Sequence, residues 1–570
     1  MLDPQGKAQL FADEFVSRWS VPEPEINEFT ARHSSNLQAT RLVPISSRSA
    51  KRVLSLLRID SGTGPDGVPA RLLKICSQEL TIPFVKLARR IISTGDWPRC
   101  WTEHWIHPLF KRKSAHDVVN YRGIHLTSQL SKAMERLLCK SFVPRLISNG
   151  FYGASQYAYT PGKGARDAVL WIVLYCLRAF SRGQRVGLYR SDVSGAFDRV
   201  KAEILLRKLA AAPIPQPIFE VIRSWLAPRT ARVAVNGCLS DVFQMLDMVF
   251  QGTVWGTILW NVFFADASQA VTETGFDDIV FADDLNAVKT FAASAGDPSI
   301  HTSLRDCQFT LHRWGRANSV VFDASKESTH ILALRPGDSS EFKILGVVFD
   351  CQLRMAKAID QCAAACHSRV MCLLHARRYH SLHEMFLLYK SHVVSFAEYR
   401  TPAIAHASRT ALEILDNVQR RFLRAVGITE VDALVTFKLA PLSTRRDIAT
   451  LGVIHRSVLG LGPASFRSFF CLDPSPPPPR SRLRHHRRLH DPCDFRAQDF
   501  LLRSALGGVR LYNILPDFIV AANTVREFQS RLQAFVVFRA QQGCADWDAS
   551  LSWRIPLASH PLRPFRDWHG

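Results

Sequence analysis

The chain has 570 residues, 47% of them hydrophobic and 10% aromatic, which is material for two or three cores and excludes a disordered polymer. Its 72 Lys and Arg outnumber 50 Asp and Glu, giving a formal net charge of +22. That excess points to a polyanionic partner held through counterion release, although a basic soluble protein without such a partner would have the same composition. No secretory signal is legible, because Met1–Ser20 alternates acidic, basic and apolar residues. The 13 cysteines contain no CxxC pair, which fits a reducing compartment, the nucleus or the cytoplasm, over a disulfide framework.

Residues 1–52 read as a helical lead-in. From Val53 to about residue 350, helical patterns alternate with short β-branched strands, clearest at Arg232–Asn236, Ile279–Phe281 and Lys343–Phe349. The apolar run Ala168–Leu177 is closed by Arg166 and Arg178, falls short of a membrane span and reads as a core helix. Residues 351–470 are almost wholly helical, with apolar residues at three- and four-residue spacing in Glu413–Val426. Cys362, Cys366 and Cys372 with His367 and His375 fall on one of these helices, without zinc-ligand spacing, and read as packed thiols and solvated histidines. Residues 471–495 form a Pro/Arg/His-rich linker. Within it Pro474–Arg480 reads as an exposed hinge, and Arg480–His490 either grips phosphate or is a solvated flexible stretch. Cys471, His485, His486, His490 and Cys493 again lack metal-ligand spacing. A smaller helical unit, 496–570, closes the chain.

The residue patterns that carry chemistry lie in the mixed region. Phe281-Ala282-Asp283-Asp284 follows apolar Ile279-Val280 and precedes Leu285-Asn286-Ala287-Val288, the pattern of strand, tight turn and strand. Two adjacent carboxylates repel, a cost that makes sense where a hard cation screens them. Asp192 ends a second strand-like run containing Val186, Leu188 and Tyr189 and would be a third ligand, or the cap of a following helix. Two divalent ions held this way can activate a primer 3′-hydroxyl and hold a triphosphate.

Asp192 with Ala196-Phe197-Asp198, then Gln251-Gly252, then Phe281-Ala282-Asp283-Asp284 resembles, in that order, the palm of reverse transcriptases. The flanks are similar to the LINE-like family from retrotransposons without long terminal repeats. Gly64-Pro65-Asp66-Gly67, Asn120-Tyr121-Arg122-Gly123-Ile124, Lys132 with Glu135-Arg136, and Gln156-Tyr157 with Asp167-Ala168 match its successive blocks. Asn236-Gly237, Trp314, Asn318, Lys326-Glu327 and Phe342–Val347, a primer-grip hairpin, continue the likeness. Tyr389-Lys390-Ser391, Glu398-Tyr399 and Val418–Phe422 look like its helical thumb, so the resemblance covers roughly Val53–Gly427.

The resemblance implies an α+β right-hand polymerase. Fingers and an antiparallel-sheet palm would occupy 53–350, a helical thumb 351–470, and a basic helical extension the C-terminus. It implies RNA-directed DNA synthesis on an RNA template and DNA primer from deoxynucleoside triphosphates, with two magnesium ions or manganese in their place, and no membrane. Asp192, Asp283, Asp284 and the Val193 carbonyl would hold the ions. Phe197 would block a ribose 2′-hydroxyl, unless it is simply a core phenylalanine. Gln251 and Gly252 would line the nucleotide pocket, and Lys111 and Arg122 would meet the triphosphate. Lys326 would be the acid for pyrophosphate, or an ordinary solvated lysine.

The chain departs from the family pattern at four places: Phe250 and Gly123 stand where proline is usual, Trp255-Gly256-Thr257 where proline-containing sequence is common, and Phe281 where tyrosine is. They keep a competing reading open, a catalytically silent, domesticated or decayed relative that only binds nucleic acid. An RNA-dependent RNA polymerase and a group II intron maturase are further rivals. The stretch before Val53 is too short for an apurinic-type endonuclease, so either the reading frame is truncated or nicking is done elsewhere.

Overall fold

The computed structural model describes residues 3–19, 42–335, 340–473, 484–493, 499–565 and 568–569. The Pro474–Arg480 hinge reading therefore lies outside the described residues, as does most of 20–52. The fold is α+β, 53% helix and 12% strand. In chain order the strands are β1 (Glu103–Phe110), β2 (Tyr121–Leu126), β3 (Arg185–Ser191), β4 (Arg229–Val235), β5 (Cys238–Leu239) and β6 (Phe243–Met245). They continue with β7 (Asp277–Phe281), β8 (Asp284–Phe291), β9 (Ser328–Leu332), β10 (Glu341–Ile344) and β11 (Val347–Asp350).

Two compact units share the chain discontinuously. The first comprises Met1–Tyr159, Tyr189–Ala287 and Arg305–Glu327. Its five-stranded sheet runs β2-β1-β4-β5 with β6 also on β4; β1 is antiparallel to β2 and parallel to β4. The β4–β5 hairpin turns on Asn236 (φ 48°) and Gly237 (φ 83°), the pair that a two-residue turn with two positive φ angles favours. Helix Pro4–Trp19 lies on this sheet because Ala8, Ala12 and Phe15 fall on one helical stripe and are buried. Its ring of Trp19 stacks 5.6 Å from His125, and Phe11 meets Tyr121 edge-on at 4.8 Å.

Beneath the sheet is a buried polar chain. Arg229 donates to His104 Nε2 (2.8 Å), which fixes the His104 proton on Nδ1, where it is donated to His125 Nδ1 (3.0 Å). Burial, the Arg229 charge and Lys132 push His125 down to about 3, so both imidazoles stay neutral. Helix Val254–Thr272 is apolar on nearly every face and buries Trp255, Leu259, Trp260 and Phe263 completely.

The second unit comprises Thr160–Leu188, Val288–Leu304 and Ser328–Gly570. The expected core helix is Ala165–Ser181, with Ala168–Leu174 all buried. Among the described residues no helix is long and apolar enough to cross a membrane. The Lys343–Phe349 strand signal resolves into the β10–β11 hairpin, because Leu345 (φ 45°) and Gly346 (φ 81°) reverse the chain between Ile344 and Val347. The helical stretch after Met355 contains Ala356–His375, Arg409–Val426 and Leu442–Val458, and helix Val525–Gln541 lies in the closing segment. Cys362 and Cys366, one turn apart, are both buried.

The Arg480–His490 reading needs correction in its described part. Arg487 Nη1 donates to the Val520 and Ala522 carbonyls (both 2.8 Å), and Arg484 to those of Ile514 (3.0 Å), Leu562 (3.1 Å) and Arg563 (2.7 Å). His485 is buried and donates to Tyr512 O (2.9 Å). Arg484, His485 and Arg487 thus satisfy carbonyls of helix ends and of the C-terminal turn and are engaged within the unit, while His486 and His490 are exposed.

A second four-stranded sheet has the order β7-β8-β3-β9.

Candidate active site

The β7–β8 hairpin has a two-residue loop, Ala282-Asp283, and Ala282 takes φ 60°, a strained value for any residue but glycine. Three contacts hold it there. Ala282 N–H donates to Gln156 Oε1 (2.9 Å), while Gln156 Nε2 (3.2 Å) and Trp260 Nε1 (3.0 Å) donate to the Ala282 carbonyl. Gln156 and Trp260 are buried, so the turn is fixed from beneath.

Asp192 follows β3, and β3 is the neighbour of β8, the strand that Asp284 begins. Ser191 Oγ donates to the Leu285 carbonyl (3.3 Å), fixing the register one residue from each carboxylate. Beyond the strand, Val193 bridges Phe322: Asp323 N–H donates to the Asp192 carbonyl and Ser194 N–H to that of Val321, both at 2.9 Å. These bonds do not use the Val193 carbonyl. The turn Ala196–Arg199 is preceded by Gly195 (φ 67°), so Asp192 caps no helix.

The carboxylates feel one another. Burial first, then the charge of Asp284, pushes Asp283 up to about 6, with Asp192 adding and Arg122 opposing. Asp284 is raised by burial and by Asp192, against Arg190 and Lys326. Lys326 Nζ lies 2.7 Å from Asp192 Oδ2 and 2.8 Å from Asp323 Oδ2. Burial lowers its affinity for the proton, but the two carboxylates outweigh that and raise it. It is an ion-paired lysine whose side chain is still 45% exposed.

The cationic side is built by Lys111 and Arg122, at the end of β1 and on β2. Lys111 is pushed down by burial, Arg122 and Arg18, with Asp198 opposing and Lys326 adding. Asp198 in turn is pushed up to about 6 by burial, against Trp19, Arg18 and Lys111. Phe197 is half-buried, its ring stacked 5.7 Å from Trp260. The Phe197 carbonyl accepts from Val249 N–H (3.0 Å), tying this turn to the segment that leads into Gln251. At Gly252 (φ 107°) a Cβ would stand 2.8 Å from the His125 carbonyl, so only glycine fits. Gln251 is held by its carbonyl, which accepts from His125 N–H (2.9 Å).

Residues 111–349 match the family described as reverse transcriptase (RNA-dependent DNA polymerase). This segment is a reverse transcriptase domain. The RNA-directed DNA polymerases from mobile element jockey of Drosophila funebris and Drosophila melanogaster are 24% and 23% identical to the chain over 445 and 446 residues. Each match covers 74% of this chain and 48% of the relative. The probable RNA-directed DNA polymerase from transposon X-element of Drosophila melanogaster is 21% identical over 445 residues, 74% of this chain and 49% of the relative. The chain thus spans about half the length of these curated relatives.

The departures at Gly123, Phe250 and Trp255 each have a local packing reason. Phe250 is fully buried against Trp225 (5.0 Å), with the Arg229 guanidinium 4.3 Å over its ring. A Cβ at Gly123 would stand 2.9 Å from Ile106 and 3.1 Å from Trp19 of helix Pro4–Trp19. Trp255 is locked to Glu135, its Nε1 donating to the Glu135 carbonyl (3.0 Å) and its N–H to the carboxylate (2.9 Å).

Several positioning residues carried no role in the sequence reading. Gln156 and Glu135 stood in quoted motifs, but nothing local says what a buried amide or carboxylate will reach. Glu327 accepts from Tyr189 Oη (2.5 Å), Gln308 Nε2 (2.8 Å) and His312 Nε2 (2.9 Å), and so fixes the residue beside Lys326.

The donor set fits hard divalent cations: half-buried carboxylate oxygens whose mutual repulsion is opposed by Lys326, Arg190 and Arg122. Among the described residues, no three Asp, Glu, His or Cys side chains are already drawn in to coordination distance. Lys326 holds the Asp192 carboxylate in an ion pair instead.

Proposed function

We propose that this chain is the RNA-directed DNA polymerase of a non-LTR retrotransposon, adding deoxynucleoside monophosphate to a primer 3′-end and releasing pyrophosphate. The observation that carries the reading is the adjacency of β3 and β8, which sets Asp192 beside the Asp283-Asp284 turn, with each raised carboxyl responding to its neighbours. The family implies dependence on divalent metal, and we take the metal to be magnesium, with manganese as a substitute. Bound ions would lower the pKa of the primer hydroxyl and hold the leaving oxygens of the triphosphate. Asp192, Asp283, Asp284 and the Val193 carbonyl would hold them.

The chain's own groups do the rest. Lys326 keeps a proton on Nζ for the departing pyrophosphate. Lys111 and Arg122 attract the triphosphate, and Gln251 with Gly252 shapes the nucleotide pocket. The Phe197 ring, backed by Trp260, excludes a ribose 2′-hydroxyl. Fingers and palm are assigned to 53–350, the thumb to 351–470 and a closing helical unit to 496–570, acting in the nucleus or cytoplasm.

Primer extension on poly(rA)–oligo(dT) tests the reading. Incorporation of dTTP by the wild type, lost in Asp283→Ala, is the expected result. Binding of the duplex with no extension would establish the silent relative in its place. Equal use of UTP would establish an RNA polymerase.

A further inference from the structure

The second unit contains a cleft of about 860 Å³. We propose that it binds the phosphodiester backbone of a single-stranded nucleic-acid segment. The inference rests on the charge and shape of the cleft and holds whether or not the aspartates of the first unit catalyse.

The lining carries five cationic side chains, Lys163, Arg166, Arg445, Arg456 and Arg526, against two carboxylates, Asp167 and Glu398. Both carboxylates are taken. Arg456 pairs with Asp167, and Arg445 Nε lies 2.6 Å from Glu398 Oε1. No carboxylate lining the cleft remains for Arg166 and Arg526, both of which are exposed. Cations from the Gly162–Arg166 segment, helix Leu442–Val458 and the start of helix Val525–Gln541 thus converge on one concavity with three positive charges in excess. A polyanion answers such a field.

The cleft is also built to admit phosphate oxygens closely. Helix Ala165–Ser181 opens into it, and its cap Gly164 supplies no side-chain acceptor; the Gly164 N–H itself is taken by the Asp167 carboxylate, which leaves the Ala165 and Arg166 end of the first turn to a ligand. Gly162 and Gly164 keep the wall free of Cβ atoms on either side of Lys163. The opposite chemistry is present as well. The Tyr399 ring lines the cleft and is held there by its hydroxyl, which donates to the Leu345 carbonyl (2.8 Å). A tethered ring is a platform for an unpaired base, and Gln529 and Gln533 offer amides to base or sugar. The volume lies within the range of roughly 300–1,000 Å³ that encloses a ligand of one or two nucleotides. A duplex presents its phosphates on a convex cylinder and buries its base faces, so it would use neither the depth nor Tyr399.

The test measures anisotropy of a fluorescein-labelled oligo(rU) strand with the full chain, titrated at several salt concentrations. Arg166→Gln/Arg526→Gln should weaken binding about tenfold and reduce the slope of log affinity against log salt by about 1.4, at roughly 0.7 per lost contact. Arg166→Lys/Arg526→Lys should restore most of both, which separates lost charge from lost folding. A 4-thiouridine strand should crosslink to the peptide containing Tyr399, and a blunt duplex should not compete it away. Wild-type affinity and slope in the glutamine variant would overturn the proposal, as would displacement of the crosslink by duplex. Asp283→Ala, measured alongside, should bind the strand like wild type while failing to extend a primer, so the two readings fail separately.

Discussion

The Asp283 turn and the Arg484–His490 run both cluster charge of one sign, and they use it in opposite ways. At the turn, carboxylates are drawn together without enough counter-charge, so Asp283 sits at about 6 and the site favours a cation. In the run, Arg484 and Arg487 are satisfied by backbone carbonyls, and His485 is buried beneath them. One charge cluster is left short of counter-charge; in the other, Arg484, His485 and Arg487 hold backbone of the closing segment, while His486 and His490 stay exposed. Charge density alone distinguishes neither, because the difference lies in which partners the fold supplies.

The largest effect expected from that contrast is at the turn. Asp283→Ala should lower primer extension by about 10³-fold, several kcal/mol of transition-state stabilisation, with the circular dichroism spectrum unchanged. A comparable loss from Arg487→Gln in a fully folded sample would erase the distinction between the two regions.

Acid should act on the other region next. His455 is buried, donates Nε2–H to Ala522 O (3.0 Å) and accepts from Tyr512 Oη (2.9 Å), and burial pushes it down to about 4. Burial also lowers the neighbouring His485. A histidine with a depressed folded pKa binds its proton more readily in the unfolded chain. Stability is therefore intact above about 6.5 and falls as pH drops toward 4, by about 1.4 kcal/mol per pH unit for His455. Urea titrations at stepwise lower pH check this, and a flat midpoint across that window would contradict it.

Arg487→Gln follows. Leaving the Val520 carbonyl without its guanidinium donor, and the Ala522 carbonyl with His455 alone, should cost about 1–3 kcal/mol, read as a lower urea midpoint at neutral pH. An unchanged midpoint would mean that water replaces the guanidinium freely and that the run is surface after all.

Smallest is the clamp beneath the turn. Gln156→Ala removes one partner from each side of the Ala282 peptide while Trp260 keeps its bond. Extension should slow about tenfold in kcat with KM for dTTP little changed, because the defect lies in carboxylate placement and not in nucleotide contact. A change confined to KM would place Gln156 in the nucleotide pocket.

Much of the site was legible because it is written in residue type and local period. A two-residue turn between apolar runs makes the β7–β8 hairpin, and Val186, Leu188 and Tyr189 announce the strand that ends before Asp192. The stripe in Glu413–Val426 became the buried face of helix Arg409–Val426. The Lys343–Phe349 strand was legible only in part, since its Leu345-Gly346 reversal is a single dipeptide inside an apolar run. Family departures such as Gly123 and Phe250 looked like defects, because their partners Trp19, Ile106 and Arg229 lie far away in the chain.

The sequence by itself determined the chemical types, the strand and helix periods and the order of the three aspartates, all of which are properties of neighbours along the chain. Tertiary structure decided that Gln156 and Trp260 hold Ala282, that Lys326 pairs with Asp192, and that the arginines of 484–487 turn inward. Those outcomes depend on which buried donors and acceptors meet across long loops. A buried polar group must find a partner, but nothing local to it names that partner.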